Sequence, residues 1–155
     1  MRKILNNLEE YILIVIFPIM TITVFISTIF RYFKLGAIPW SEELARYLMI
    51  WIAYIGASLG IKKNAHLGVE ILVNKLPKSL KSVAKYFRVA IILLFNALII
   101  SFSYKIINHQ MNMGQLSPAM AIPIWYAYLA IPVGALLMII RSIQMVIFQD
   151  KQVVN

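Results

Sequence analysis

The densest set of chemically capable side chains in this sequence is Trp40-Ser41-Glu42-Glu43-Leu44-Ala45-Arg46. On a helix, Glu42 and Arg46 stand at i,i+4 and Glu43 and Arg46 at i,i+3, so either carboxylate can pair with the guanidinium. Ser41 is placed to cap that helix, and two acids in its first turn complement the positive helix end. The cluster is thus a charge-paired helix entry that can also serve as a surface for a partner. The other acids, Glu9, Glu10, Glu70 and Asp150, fall in the N-terminal segment, a connection and the tail. A carrier that couples ion flow by itself usually keeps a charge deep inside a span, where it handles the ion. None is expected here, although a sodium site built of carbonyls and hydroxyls leaves no such mark. His66 and His109 lie outside the apolar runs and offer no axial ligands to a haem within a bundle. With no Cys in the chain, thiolate nucleophiles, disulfides, Cys-ligated zinc and iron-sulfur clusters are excluded. HExxH, GxSxG and a phosphate-cradling glycine loop are missing too. The residues support neither an enzyme nor a cofactor site.

The elements that position these residues are written in the composition. Of 155 residues, 61% are hydrophobic and 14% charged, and the mean hydropathy is +0.80, well beyond the apolar share of about 45–50% in soluble domains. Four spans of about 20 residues leave no room for a separate soluble domain. The expected fold is therefore an all-α integral membrane protein, one membrane domain over residues 1–155, with spans near 11–30, 43–61, 86–104 and 119–140. The first run is 20 residues long without a charge, and it is too long for a signal-peptide core of about 7–15 residues. Pro18 is a kink point, and Thr21, Thr23, Ser27 and Thr28 can bond backbone carbonyls or a neighbour. The second span has only 15 uncharged residues, 47–61, so it borrows a turn back to Glu43 with Arg46 at headgroup level. Trp51 lies within it, and Gly56 and Gly60 form a GxxxG, a face on which another helix can approach closely. Asn96 in the third span is expected to face protein, and Trp125, Tyr126 and Tyr128 in the fourth suit an interfacial belt.

Four spans place both termini on one side. Basic residues number eleven in the terminal segments and the 62–88 connection, against four (Arg31, Lys34, Arg46, Lys105) in the other two loops, so both termini are expected to be cytoplasmic. The net charge of +9 is interspersed with apolar runs and reads as topology and anionic lipid, not nucleic acid. Within 62–85, Val69, Leu72, Val73 and Leu76 follow i, i+3, i+4, i+7 spacing, and beyond Pro77 so do Leu80, Val83, Ala84 and Phe87. The spacing predicts two short amphipathic surface helices. Lys78, Lys81, Lys85 and Arg88 take the opposite face of the second, as expected for a helix lying on an anionic leaflet.

Taken in order, Arg31-Tyr32, Trp40-Ser41-Glu42-Glu43 with Arg46 and Trp51, Gly56-Ala57, His66 followed by Glu70, and a Pro- and aromatic-rich fourth span closing at Arg141 resemble the small, DctQ-like membrane subunit of tripartite ATP-independent periplasmic (TRAP) transporters. The resemblance covers nearly the whole chain; where the family pattern has Asp after the His, this chain has Glu70. It implies a bacterial inner-membrane system of three parts: a periplasmic binding protein that captures an organic acid of C4-dicarboxylate or sialic acid type, a large membrane subunit that moves it with sodium, and this subunit as a static scaffold. On that resemblance Arg31, Trp40, Glu42, Glu43, Arg46, Trp51, Gly56, Gly60, His66 and Glu70 are candidates for partner contact. Three rivals stand beside it: an autonomous four-helix carrier, against which the lack of a buried charge argues; a membrane enzyme or electron-transfer subunit, which nothing in the residues supports; and an assembly subunit of another complex, which composition alone leaves open.

Overall fold

The computed structural model of the chain describes residues 7–63 and 78–153, with side chains over 7–63, 83–84 and 86–146. Among these described residues five helices follow in order: α1 (Leu8–Tyr32), α2 (Pro39–Lys62), α3 (Lys78–Met113), α4 (Trp125–Tyr128) and α5 (Ala130–Val153). Four stretches of the described residues are long and apolar enough to cross a bilayer: Leu8–Tyr32, Pro39–Lys62, Tyr86–Met113 and Trp125–Val146, the last joining α4 to α5. Among the described residues the fold is all-α, with a lone backbone bridge between Leu116 and Pro123.

The helices stand in a row. α1 packs on α2, α2 on α5 and α5 on α3, and among the described residues α1 makes no close backbone approach to α5 or α3. A closed bundle buries a common axis; a row leaves two broad faces uncovered. The core is accordingly thin, consisting among the described residues of Ile55, Ile61, Val89, Ile107, Ala127, Ala130 and Ala135, while Phe17, Phe25, Phe95 and Phe102 stay exposed. In water such faces are an aggregation hazard, but hydrocarbon solvates them as well as another helix would.

Backbone economy explains each helix. Within α1 the hydroxyls of Thr21, Thr23 and Thr28 donate to the carbonyls of Phe17, Ile19 and Val24, so they are satisfied inside the helix. α2 begins with Pro39, whose missing N–H costs nothing at the first helical position. This shifts the expected cap: Ser41 lies inside the first turn, and its hydroxyl donates back to the Ile38 carbonyl at 2.7 Å.

Two expectations about elements are corrected. The second surface helix of the 62–85 connection does not exist as a separate element. Lys78–Met113 forms one helix of 36 residues, about 54 Å long, because no Gly or Pro interrupts the chain between Pro77 and Gly114. The first surface helix, around Val69 to Leu76, lies outside the described residues. The fourth span starts at Trp125 rather than Ala119. α3 ends at Met113, and Gly114 takes the left-handed conformation (φ 59°) that commonly closes a helix. The chain then folds on itself: Ser117 N–H donates to the Ile122 carbonyl at 2.8 Å and Ile124 N–H to the Gln115 carbonyl at 3.1 Å. Pro118 and Pro123 bracket this turn, so residues 119–124 are apolar without being helical.

Candidate functional site

Polar side chains gather at the two ends of the row, and each set ties together segments distant in sequence. At one end, where α1 finishes and α2 starts, Arg31 pairs with Glu42 across the turn, both partners largely exposed. Glu43 is buried. One oxygen of its carboxylate accepts the backbone N–H groups of Ala119 (3.0 Å) and Met120 (3.1 Å), and the other accepts the Tyr47 hydroxyl at 3.2 Å. The Ser117 hydroxyl accepts the Met120 N–H as well. Glu43 therefore serves the 117–121 turn as an N-cap serves a helix, from another element.

Arg46 does not pair with either carboxylate, contrary to the local spacing. Its Nε donates weakly to the Glu42 carbonyl at 3.4 Å. Each acid has a better partner elsewhere: Glu42 a guanidinium across the turn, Glu43 two backbone N–H groups of the 117–121 turn that bond its charged oxygen. Replacing Glu43 by Ala is thus expected to cost about 2–3 kcal/mol, read as a lowered unfolding temperature in detergent with faster amide exchange at Ala119 and Met120. Replacing Glu42 by Gln, which breaks an exposed pair, should cost about 1 kcal/mol or less.

At the opposite end lies a pair that sequence reasoning missed. Glu9 is 0% exposed and Arg141 6%. The guanidinium meets the carboxylate side-on, Nε to Oε1 at 2.6 Å and an NH2 nitrogen to Oε2 at 2.6 Å. Ser58 of α2 donates to Glu9 Oε1 at 3.4 Å, and Arg141 reaches Gln144 Oε1 at 2.7 Å. Around them Lys62 contacts Asn7 at 3.0 Å and Glu10 at 3.5 Å, and Lys63 reaches Glu10 at 3.3 Å. Glu9 is consequently not a solvated residue ahead of the first span: it joins α1 to α5, which never approach as backbones. The contact also places the start of α1 and the end of the last span at one end of the molecule. Among the described residues no group of three or more His, Asp or Glu side chains gathers at metal-binding spacing.

Four apolar spans in a row with polar clamps at both ends describe a membrane subunit, and comparison with known proteins gives its family. Residues 20–151 match the family described as tripartite ATP-independent periplasmic transporters, DctQ component. The chain belongs to this family of TRAP transporter small membrane subunits. It is 34% identical over 133 residues to a Haemophilus influenzae protein assigned as a TRAP transporter small permease, covering 86% of this chain and 81% of that one. It is 25% identical to the C4-dicarboxylate TRAP transporter small permease DctQ of Rhodobacter capsulatus, over 93% of this chain and 77% of that one. It is also 30% identical to part of the isethionate TRAP transporter permease DctMQ of Oleidesulfovibrio alaskensis, over 76% of this chain but only 20% of that longer protein. The family is one of transporter membrane subunits, not enzymes.

The remaining candidates of this DctQ-family chain divide clearly. Arg31, Trp40, Glu42, Glu43 and Arg46 come together at one end; Trp51 is partly buried in mid-helix. A side chain added at Gly56 or Gly60 would meet nothing within 4 Å, so no described residue crowds these glycines. The close approach is instead at Gly134, where an added Cβ would lie 2.5 Å from the Tyr54 Cβ. His66 and Glu70 lie outside the described residues. Lys78, Lys81 and Lys85 sit on the first turns of α3. Arg88 departs from the lysines, since one NH2 nitrogen turns to the Met145 sulfur of α5 at 3.1 Å.

Proposed function

We propose that this chain is the scaffold of a binding-protein-dependent, sodium-coupled transporter of an organic acid, held in the bacterial inner membrane with both termini cytoplasmic and packed against a large membrane subunit. The observation that carries the reading is the row itself: it leaves broad apolar faces for lipid and a partner, while the two carboxylates buried among the described residues, Glu9 and Glu43, are saturated by groups of the chain itself. A group that must bind and release an ion or substrate cannot be committed in this way. The Rhodobacter relative is named for C4-dicarboxylates and the DctMQ relative for isethionate; chemically different acids served by similar small subunits favour selection on other chains. In DctMQ the segment similar to this chain is part of a much longer permease protein, which supports a lasting partnership with a large subunit. C4-dicarboxylates and sialic acid are the substrate classes to test first. The fifteen Lys and Arg, denser around 62–88, favour the cytoplasmic placement of the termini.

Co-expression of the tagged chain with the large membrane subunit encoded beside it, mild-detergent purification and uptake into liposomes test this. A stable complex that takes up an organic acid only with sodium and the binding protein is the expected result. Transport by this chain alone would establish the autonomous carrier instead. The lysines give a separate expectation: with Lys78, Lys81 and Lys85 replaced by Gln, dependence on anionic phospholipid should weaken, each charge contributing about 1 kcal/mol near the surface. Unchanged lipid dependence would remove the anchoring role.

A further inference from the structure

From the charges left over at the Glu43 end, and resting on the scaffold reading above, we infer that Arg46 is the docking point for an Asp or Glu side chain of the large membrane subunit. A groove of about 690 Å³ opens where the first turns of α2 meet the Pro118–Ala119 turn, lined among others by Trp40, Glu42, Glu43, Arg46 and Tyr47. Its charges are not equivalent. Glu43 is occupied by two backbone N–H groups and the Tyr47 hydroxyl, and Glu42 by Arg31. Arg46, unlike these two carboxylates, has neither an ionic partner nor a close hydrogen bond among the described residues. Its one hydrogen bond, 3.4 Å from Nε to the Glu42 carbonyl, leaves both terminal nitrogens of the guanidinium uncommitted. That fork is the geometry that takes a carboxylate through two parallel hydrogen bonds.

The occupant follows from depth and surroundings. Arg46 lies seven residues past Pro39, about 10 Å along the helix from its first residue, and directly precedes the uncharged run 47–61. A soluble protein arriving from above must reach past the half-exposed Trp40 at the rim. A neighbour standing beside α2 in the bilayer presents a side chain at this level directly. The turn at Pro118–Ala119 makes the groove concave, a seat for a side chain rather than for a headgroup carrying two acyl chains. An Arg with adjacent Trp and Tyr is also the combination enriched among residues that anchor protein interfaces.

The test is recovery of the large membrane subunit with tagged chain bearing Arg46→Glu, Arg46→Gln or Arg46→Lys, with thermal unfolding of each chain alone as the folding control. Arg46→Glu should lower recovery by roughly tenfold or more, as loss of a hydrogen-bonded interfacial charge pair does, with Arg46→Gln intermediate, Arg46→Lys the least affected and the unfolding temperature unmoved. If Arg46→Glu fails to accumulate, the comparison of Gln with Lys decides the same point. Recovery equal to wild type in every variant overturns the inference. So does an intact complex that loses only its response to the binding protein, or only its response to anionic lipid, because the carboxylate or phosphate would then belong to those partners. A wild-type chain that recovers no large subunit fails earlier, at the scaffold reading.

Discussion

Replacing Arg141 by Ala should destabilise the chain by about 3–5 kcal/mol, the cost of leaving a buried charge without its counter-ion. At roughly 2–4 °C per kcal/mol for a chain of this size, the unfolding temperature in detergent falls by roughly 6–20 °C. The argument rests on burial: Glu9 is fully enclosed and its two oxygens meet two guanidinium nitrogens at 2.6 Å. Removing the guanidinium leaves the carboxylate with the distant Ser58 hydroxyl, 3.4 Å away, as its remaining hydrogen bond among those to the described side chains of α2 and α5. Glu9→Gln should cost less than Arg141→Ala, since an amide keeps an acceptor for the guanidinium and Gln144 still accepts from Arg141 at 2.7 Å. The decisive comparison is the double replacement Glu9→Leu with Arg141→Met. An apolar pair of similar volume removes both desolvation penalties, so the double variant should recover most of the stability lost by Arg141→Ala. Equal losses in the single and double variants would show that the cost is the lost contact between Glu9 and Arg141 and not the stranded charge. Because among the described residues α1 otherwise packs only on α2, the single variants should also loosen α1 first, with faster amide exchange at its early turns.

The four spans were legible because apolar runs of bilayer length leave few alternatives, and the errors fall where composition stops discriminating. Residues 119–124 are as apolar as a span, yet Pro118 and Pro123 with the Glu43 cap make them a turn; hydropathy carries no information about hydrogen-bond direction. The continuity of α3 was available in principle, since nothing between Lys78 and Met113 breaks a helix, but amphipathic spacing at its start drew attention to a separate element. Local spacing also misdirected the Arg46 pairing. The i,i+3 and i,i+4 rules say which side chains can meet, while Glu42 and Glu43 had tertiary partners 11 and 76 residues away that competed successfully. Glu9 and Arg141, 132 residues apart, are joined by no periodicity at all. The signal that could have found them is topological: with an even number of spans, an acid just ahead of the first and a base just inside the end of the last share one membrane face.

Gly134→Val is expected to separate α2 from α5, whereas the same substitution at Gly56 or Gly60 should leave the isolated chain folded. At Gly134 an added Cβ meets the Tyr54 Cβ at 2.5 Å, its carbonyl carbon at 3.1 Å and its Cα at 3.2 Å. These atoms belong to or adjoin the backbone, so no rotamer change relieves the overlap and the helices themselves must move. Even Gly134→Ala should cost about 1–3 kcal/mol, the range for overpacking a close contact, and the branched Val more. The surroundings make the site unforgiving: Ser58, Ala135 and Ser142 are all fully buried or nearly so, small residues that let helices approach where lipid gives no hydrophobic drive. The GxxxG at Gly56 and Gly60 looks the stronger pattern, yet neither glycine has an atom in reach, and Gly→Ala there should stabilise α2 by up to about 1 kcal/mol through helix propensity. Gly56 instead borders an apolar notch with Leu13, Phe17, Pro18 and Ile52. The contrast separates two roles for small residues. A Gly134→Val chain that unfolds alone at lower temperature, beside Gly56→Val and Gly60→Val chains of normal stability that recover less of the large subunit, would assign Gly134 to the fold and the GxxxG face to assembly. Normal stability of Gly134→Val would instead mean that α2 and α5 do not depend on their close approach, and that the row is held by its end clamps alone.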